Sequence, residues 1–429
     1  MSSVKPVDPN NSNSPAWVRK TNKLGHDLGL TKRVLAKKLH PDFILDQANY
    51  ELGSSPELEA RVSRLLESIQ LESLSLIGGV ALSQLLTDSV RNQLAYGYAR
   101  TRSDIAELRK IKKPVFIVGF PRTGTTFLHN LLASDPQFCA PRMWELHAPA
   151  LSSSGREKKR RLREVRRFAR ASNLLAPEMK KIHPVNADSY EECLKLLENT
   201  LLSPTFLMYA EAPKYKAWLL KNLDSNTIAE VYEDHKYQLQ LLAKHHNKTG
   251  RWVLKSPAHA LFLQGLLQTY PDALLVNTVR DPVDSIVSFC SLTHTVRSMM
   301  CESPDLAEIG KFGVEFFSEA YRVNEIVSLK NPGSMINISF ESLTKYPIET
   351  CRQLYEVMKL EWDKSIEKGM LDWLATRPSN SNIDREHGYS ARQYSLSESE
   401  LSNRFCEYDR ARHKLKALGV SKGFLGHNL

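Results

Sequence analysis

The sequence lacks any long apolar run. None of its 429 residues fall in a stretch that approaches the roughly 20 apolar residues a helix needs to span a bilayer. The most apolar early stretch, residues 74–86, is short and interrupted by serine, glycine and glutamine. Residues 1–15 are rich in proline, asparagine and serine and lack the apolar core of a secretory signal. We therefore predict a disordered leader over residues 1–15 and a cytoplasmic location for the protein.

Paired cysteines are also lacking. The chain has six cysteines, and no two of them have the Cys-x-x-Cys spacing that is typical of metal-binding and redox motifs. This distribution predicts reduced thiols. Although the formal charge is +10, no pattern typical of a nucleic-acid-binding module accompanies it, so we expect no nucleic-acid partner.

Much of the positive charge is concentrated in residues 156–170, which contain nine basic and two acidic residues. A solvated helix accounts for such a segment without any function. The alternative is attraction to an anionic substrate, or peripheral contact with an anionic membrane. Both interpretations remain open at the level of the sequence.

The hydrophobic pattern predicts two kinds of region. Residues 16–110 have helical periodicity and predict a helical N-terminal region. Over residues 111–429, short β-branched runs at 114–119, 252–254, 273–279 and 335–339 alternate with helical segments. This alternation predicts an α/β domain with a P-loop-like parallel sheet flanked by helices.

A mainly helical stretch over residues 155–250 interrupts the alternation of strands and helices. Within it, residues 190–208 and 227–246 are each predicted to be helical. We predict that this insertion forms a substrate cap over the carboxyl edge of the sheet, which is where parallel sheets of this kind bind ligands.

The strongest local signal follows the first predicted strand. Residues 119–126 read Gly-Phe-Pro-Arg-Thr-Gly-Thr-Thr. Two glycines five positions apart permit a tight loop whose backbone N–H groups converge on a phosphate at a helix N-terminus. A kinase loop has lysine where this chain has Thr125, and here the cation of the loop is Arg122. No apolar run ends in an acidic residue that would hold Mg²⁺, so the pattern predicts a phosphate site without a metal.

This loop resembles the 5′-phosphosulfate loop of sulfotransferases that use 3′-phosphoadenosine 5′-phosphosulfate (PAPS). The residues that carry the resemblance are Arg122, Thr123, Gly124, Thr125 and Thr126. A second element of that family is an arginine after a strand with a serine eight positions on, and Arg280 and Ser288 match it. If a helix begins at Pro282, Ser288 lies about 9 Å along its axis, which leaves room for one phosphate between the two side chains.

The resemblance extends over nearly the whole chain and is closest to the large, mainly bacterial-type branch with a long helical N-terminus. Further matching segments follow in the family's order. They are Trp144-Glu145, Ile182-His183-Pro184, Glu191-Glu192-Cys193, residues 251–259, residues 340–343 and residues 387–390.

The resemblance implies transfer of a sulfuryl group from PAPS to a hydroxyl of a small-molecule or lipid acceptor, with adenosine 3′,5′-bisphosphate (PAP) as the product. It implies no metal. Arg122 and Lys255 correspond to the cations that flank the bridging oxygen. Glu145, 23 positions after Arg122, corresponds to the general base, and His183 competes for that role.

One expected element is missing. Cytosolic sulfotransferases bind the 3′-phosphate with an Arg-x-Gly-x-x-Gly segment near their C-terminus, and this chain has none. Arg385 lies in a comparable stretch and is our candidate for a nucleotide contact there.

Two other classes of function remain as alternatives. One is a P-loop small-molecule kinase, against which the missing loop lysine argues. The other is a polyanion- or membrane-binding protein without catalysis. Each site residue also has a structural explanation, such as an ion pair or a helix cap. The sequence does not identify the acceptor.

Overall fold

The fold is built around a mixed sheet that is parallel apart from one edge strand. The structure is a computed structural model, and it describes residues 15–48, 55–102, 108–149, 155–175, 186–245, 249–331, 333–376 and 390–422. Within these ranges six strands form the sheet, namely β1 (Val115–Ile117), β2 (Phe138–Cys139), β3 (Arg251–Lys255), β4 (Leu274–Val279), β5 (Met335–Ser339) and β6 (Val420–Lys422). Their spatial order is β2-β3-β1-β4-β5-β6.

All pairings among strands β1 to β5 are parallel, and β6 pairs antiparallel with β5. The prediction of an α/β fold with a parallel sheet is therefore confirmed. The two edge strands, β2 and β6, are absent from the sequence prediction, because β2 has only two residues and β6, with the sequence Val-Ser-Lys, lacks the apolar run from which the other strands were predicted.

Residues 16–102 are helical wherever the structure describes them as regular. Their α-helices are α1 (Ala16–Asp27), α2 (Leu30–Lys38), α3 (Pro41–Gln47), α4 (Pro56–Leu66) and α5 (Leu76–Arg102). The close approach of α5 to the following domain requires Gly78, because a Cβ at this position would lie 2.1 Å from the backbone oxygen of Met300. The N–H of Ser75 also donates to that oxygen at 2.9 Å. The helical N-terminal region is thus packed directly on the α/β part, and its predicted boundary at residues 110 and 111 remains a prediction.

Helices flank the sheet throughout the rest of the chain. Those before β3 are α6 (Thr125–Ala133), α7 (Met143–Leu146), α8 (Gly155–Leu175), α9 (Leu194–Glu198), α10 (Thr205–Tyr209), α11 (Pro213–Lys221) and α12 (Ser225–His245). Those after β3 are α13 (Leu263–Thr269), α14 (Pro282–Met300), α15 (Leu306–Lys330), α16 (Phe340–Lys345), α17 (Pro347–Met358), α18 (Lys364–Ala375), α19 (Glu398–Arg404) and α20 (Cys406–Leu418).

The prediction of one helix over residues 190–208 is wrong. The structure has two short helices, α9 and α10, separated by an irregular segment. Leu201 has a φ of 57°, in the left-handed region that interrupts a right-handed helix. Pro204 follows and has no N–H to continue the hydrogen-bonding ladder. Both features override the apolar periodicity from which the longer helix was predicted.

Candidate active site

The residues that are predicted to bind phosphate lie together at the carboxyl edge of the three central strands. Ile117, the last residue of β1, is in register with Lys255 at the end of β3 and with Val276 in β4. The loop after β1 and the residue after β4, Arg280, therefore leave the sheet on the same side. This is the edge at which parallel α/β sheets place their ligands.

The loop over residues 119–124 is held in a narrow range of conformations. A Cβ at Gly119 would lie 2.1 Å from the Thr278 hydroxyl oxygen, so only glycine fits there. The Thr123 hydroxyl donates to the backbone oxygen of Phe120 at 2.6 Å and lies 2.6 Å from the Thr278 hydroxyl. Gly124 has a φ of 87° and directly precedes α6. The loop thus delivers the chain to the N-terminus of α6, where backbone N–H groups lack partners within the helix and attract an anion.

Lys255 connects the end of β3 to this loop. Its side chain is 1% exposed, and its ammonium group donates to the Thr126 hydroxyl at 3.1 Å. The same ammonium group forms an ion pair with the carboxylate of Glu192. A buried cation is costly unless it is paired and hydrogen-bonded, and here both conditions are met.

Glu192 reaches Lys255 because the segment before α9 is bound to the end of β3. The N–H of Cys193 donates to the backbone oxygen of Lys255 at 3.1 Å, and the N–H of Glu191 donates to that of Pro141 at 3.0 Å. The Glu192 side chain is 20% exposed, so it lies at the mouth of the site while Lys255 lies below it. Sequence reasoning placed Glu192 in a family motif but gave it no role, because the motif alone does not show which residue its carboxylate contacts.

The second group of predicted anion-binding residues is also brought together. The Arg122 Nε donates to the Ser288 hydroxyl at 3.0 Å, and Arg280 donates to the backbone oxygen of Arg122 at 3.0 Å. The Arg280 guanidinium lies 4.6 Å from the centre of the Phe340 ring. Asp281 caps the start of α14 by accepting the N–H of Asp284, which fixes the helix that carries Ser288. Phe340 had no role in the sequence analysis beyond its place in a motif.

Glu145 lies in α7, and its side chain is buried. Its Oε2 accepts the backbone N–H of Arg142 at 2.8 Å, which is one half of a capping box. The proposed roles of Glu145 in catalysis, and of residues 122–126, 255, 280 and 288 at the nucleotide, remain predictions. His183 and Arg385 lie outside the described residues.

A buried network of histidines and tyrosines lies behind the end of β3. His259 is 3.1 Å from the Cys193 sulfur and 2.8 Å from the Tyr232 hydroxyl, and His235 is 2.8 Å from the Tyr270 hydroxyl. Burial lowers the pKa of His235 to about 3 and holds the pKa of His259 well below its usual range. Burial also raises the pKa of the Cys193 thiol. The Cys193 sulfur and one ring nitrogen each of His235 and His259 lie within 4.8 Å of one another, but this proximity does not by itself indicate a metal ion.

The basic segment 156–170 lies in α8. Most of its cations are exposed, and Arg161 is the exception because it is buried and lies 3.3 Å from the Glu157 carboxylate. Burial lowers the pKa of Arg161. Within the described ranges, no helix combines the length and the apolar character needed to cross a membrane. Peripheral membrane contact through α8 stays a prediction.

Comparison with known proteins identifies the class. A model described as the sulfotransferase family matches residues 114–364, which are more than half of the chain. The matched span contains Lys255, Arg280, Ser288 and residues 119–126, which we call the phosphate loop. The chain belongs to the sulfotransferase family, and the resemblance seen in the sequence is confirmed.

Among curated proteins, the chain is similar to the omega-hydroxy-beta-dihydromenaquinone-9 sulfotransferase Stf3 of Mycobacterium bovis and to its counterpart of the same name in Mycobacterium tuberculosis. Each is 24% identical to this chain over 269 residues, which cover 60% of this chain and 65% of the relative. The chain thus spans a little under two thirds of the length of these relatives.

Two solved structures have a similar fold. Sulfotransferase STF9 from Mycobacterium avium has a TM-score of 0.75 at 21% identity and covers 86% of this chain and 95% of its own. Sulfotransferase STF1 from Mycobacterium tuberculosis has a TM-score of 0.72 at 24% identity and covers 85% of this chain and 97% of its own. At such identities the likeness concerns the fold, and it agrees with the α/β class predicted from the sequence.

Proposed function

We propose that the protein transfers a sulfuryl group from PAPS to a hydroxyl of a small-molecule or lipid acceptor. The observation that carries this proposal is the position of Lys255. In a chain of the sulfotransferase family, this buried lysine donates to Thr126 at the phosphate loop and lies beside a carboxylate. Sulfuryl transfer needs a cation near the leaving oxygen, and Lys255 supplies one at the loop.

The chemistry of the donor set fits PAPS. Residues 122–126 of the phosphate loop would hold the 5′-phosphosulfate through the N–H groups at the start of α6. Arg280 and Ser288 would hold the 3′-phosphate, and Arg385 would add a further contact. All of these groups are hydrogen-bond donors or cations, as a ligand with several negative charges requires. The loop has no lysine for a β/γ-phosphate pair, which favours PAPS over ATP.

In the transfer step, the acceptor oxygen forms a bond to sulfur while the bond from sulfur to the bridging oxygen of PAPS breaks in line. The acceptor proton passes to a carboxylate, and PAP leaves with the bridging oxygen. Lys255 and Arg122 would stabilise the negative charge that develops on the leaving oxygen. Because the residues are held in place before the reaction, most of the catalytic effect is positioning and charge stabilisation.

Glu145 remains our first candidate for the base, with His183 as the second. The hydrogen bond from Arg142 to one oxygen orients the Glu145 carboxylate. The geometry adds Glu192 as a rival, because this carboxylate contacts the lysine at the loop. In the proposal, Glu192 neutralises Lys255 before the nucleotide binds.

The acceptor class rests on a relative. Stf3 is named for a hydroxylated dihydromenaquinone, so we propose that an apolar molecule with a hydroxyl group is a suitable acceptor for this chain as well. A cytoplasmic site of action and contact of residues 156–170 with an anionic membrane belong to the same proposal.

The test is a screen of acceptors with labelled PAPS, covering alcohols, phenols, sterols, hydroxylated quinones and glycans. Calorimetry supplies the control, because the proposal requires PAP to bind with an affinity that a metal chelator does not change. Binding of Mg-ATP that equals or exceeds that of PAP would instead support a kinase.

A further inference from the structure

The first helix, α1, leaves its large apolar side chains exposed instead of burying them against the rest of the protein. Its buried stripe consists of Val18, Asn22 and Gly25. Asn22 accepts the N–H of Ile77 at 3.1 Å, and a Cβ at Gly25 would lie 2.7 Å from the Leu76 side chain. The inner face of α1 is therefore small and partly polar, and it fits closely against α5.

The large apolar residues of this region point outward. Four side chains between residues 17 and 30 are 42–61% exposed, and we call them the N-terminal apolar patch: Trp17, Leu24, Leu28 and Leu30. Trp17 and Leu24 are seven residues apart in the helix, so they lie on nearly the same line along its surface. Leu28 is the C-cap residue of α1, and Gly29, with a φ of 64°, turns the chain into α2, which begins at Leu30. An amphipathic helix normally buries such residues, and clustered exposure of this kind is typical of an interaction surface.

The chain segment that carries the N-terminal apolar patch has mostly positive charges. Residues 16–38 contain seven lysines and arginines and one acidic residue, Asp27. Lys20 and Lys23 are exposed on α1, and Lys32 and Arg33 are exposed on α2. Long lysine and arginine side chains can place their charges at a polar boundary while their stems cover apolar surface.

We propose that α1 and the start of α2 form a docking surface for an anionic lipid bilayer. The N-terminal apolar patch would enter the boundary between headgroups and acyl chains, with α1 lying in the plane of the membrane. The surrounding cations would pair with anionic phospholipid headgroups, whose charge is complementary to theirs. The proposal concerns a surface distinct from the basic segment 156–170 and does not depend on the proposed sulfotransfer.

The test uses the full chain and sedimentation with vesicles of phosphatidylcholine, alone or mixed with phosphatidylglycerol. We expect binding to the mixed vesicles, and weaker binding as salt is added. Leu24→Ser combined with Leu28→Ser should lower the partition coefficient by roughly tenfold or more, because apolar surface is no longer buried. Lys20→Ala and Lys23→Ala should each lower it by roughly fivefold.

Matched controls come from α15. Leu329 is 55% exposed, and Lys330 follows it on the surface. Leu329→Ser and Lys330→Ala change the same residue types away from the proposed surface, so neither should affect vesicle binding. Quenching of tryptophan fluorescence by brominated lipid gives a second readout, and the quenched component should disappear in Trp17→Phe.

Three outcomes would overturn the proposal. The first is undiminished binding in both the leucine and the lysine variants, which would locate any membrane contact elsewhere, for example at residues 156–170. The second is equal binding to neutral and anionic vesicles. The third is a dimer that the leucine variant dissociates while vesicle binding is absent, which would show that a second copy of the chain covers the patch.

Discussion

At the carboxyl edge of the sheet, the cations that follow β3 and β4 are held in different ways, and we call these two places the β3 end and the β4 end. At the β3 end, Lys255 is buried and is balanced by the Glu192 carboxylate and the Thr126 hydroxyl. At the β4 end, Arg280 donates to a backbone oxygen and lies against the Phe340 ring. Its ionic contact is with Asp284 at 3.5 Å, and that side chain is largely exposed, so solvent weakens the pair.

Under the proposed function, this difference predicts separate roles for the two sets of residues. The β3 end combines a buried cation, a hydroxyl and the carboxylate that neutralises the cation, and a buried cation of this kind suits stabilisation of charge that develops in a reaction. At the β4 end, Arg280 and Ser288 provide donors, which suit recognition of a phosphate. Arg122 contacts both of these residues, but the proposed function gives it a role at the leaving oxygen. In terms of the proposed function, substitutions at the β3 end should reduce turnover, and substitutions at the β4 end should reduce nucleotide affinity.

The largest expected effect concerns Glu145, our first candidate for the base. Glu145→Gln keeps the shape of the side chain and removes its ability to accept a proton. We expect turnover to fall by roughly two to four orders of magnitude with PAP affinity preserved. Glu192→Gln should reduce turnover by less than roughly tenfold, and His183→Ala should mainly raise the acceptor KM. Turnover with saturating PAPS and PAP calorimetry are the measurements.

Glu191→Gln, next to the rival carboxylate, is the control. An active Glu145→Gln enzyme together with an inactive Glu192→Gln enzyme would assign the base to Glu192. The base and the cation Lys255 would then belong to the same ion pair. An inactive His183→Asn enzyme with an active Glu145→Gln enzyme would assign the base to His183.

The second prediction tests the buried pair itself. Lys255→Met should reduce turnover by roughly two to three orders of magnitude, because the developing negative charge loses a buried cation. It should also lower the free energy of unfolding, since Glu192 loses its partner. Adding Glu192→Gln should restore much of that stability without restoring turnover. Recovery of both together would mean that Lys255 acts only through stability, and it would remove the contrast between the two ends.

Local chemistry made part of this site predictable. The strand that leads into the phosphate loop, the cap at Asp281 and the spacing from Arg280 to Ser288 all depend on near neighbours in the chain. The structure places these elements together, and the Arg122 side chain donates a hydrogen bond to the Ser288 hydroxyl. The α/β class followed from the alternation of strands and helices for the same reason.

The remaining contacts depend on how distant segments pack. Glu192 and Lys255 are 63 positions apart, and a hydrogen bond from the Cys193 N–H to the backbone oxygen of Lys255 holds their two segments together. No periodicity or motif carries that information. The break between α9 and α10 was missed for a related reason, because the left-handed conformation of Leu201 is set by its surroundings and leucine has no preference for it.

At the β4 end, Arg280→Ala should weaken PAP binding by roughly ten- to hundredfold, since a charged hydrogen bond contributes about 1.5–3 kcal/mol. The affinity for adenosine 5′-phosphate should change much less. Arg322→Ala, at an exposed arginine paired with Glu319, is the control for loss of charge. Equal losses for the two nucleotides would mean that Arg280 does not recognise the 3′-phosphate, and a large fall in turnover at saturating PAPS would break the division between the two ends.

The smallest effect is expected for the hydroxyl at the same end. Ser288→Ala removes the proposed donor to the 3′-phosphate and also the group that accepts the Arg122 Nε–H, so PAP affinity should fall by roughly five- to tenfold. Ser291→Ala, at a buried serine one turn further along α14, is the matched control and should leave affinity unchanged. Calorimetry with PAP and adenosine 5′-phosphate separates two causes. A loss confined to PAP means that the hydroxyl binds the 3′-phosphate directly. A loss that is equal for both nucleotides means that Ser288 acts by holding Arg122, whose loop is proposed to bind the 5′ side of either ligand.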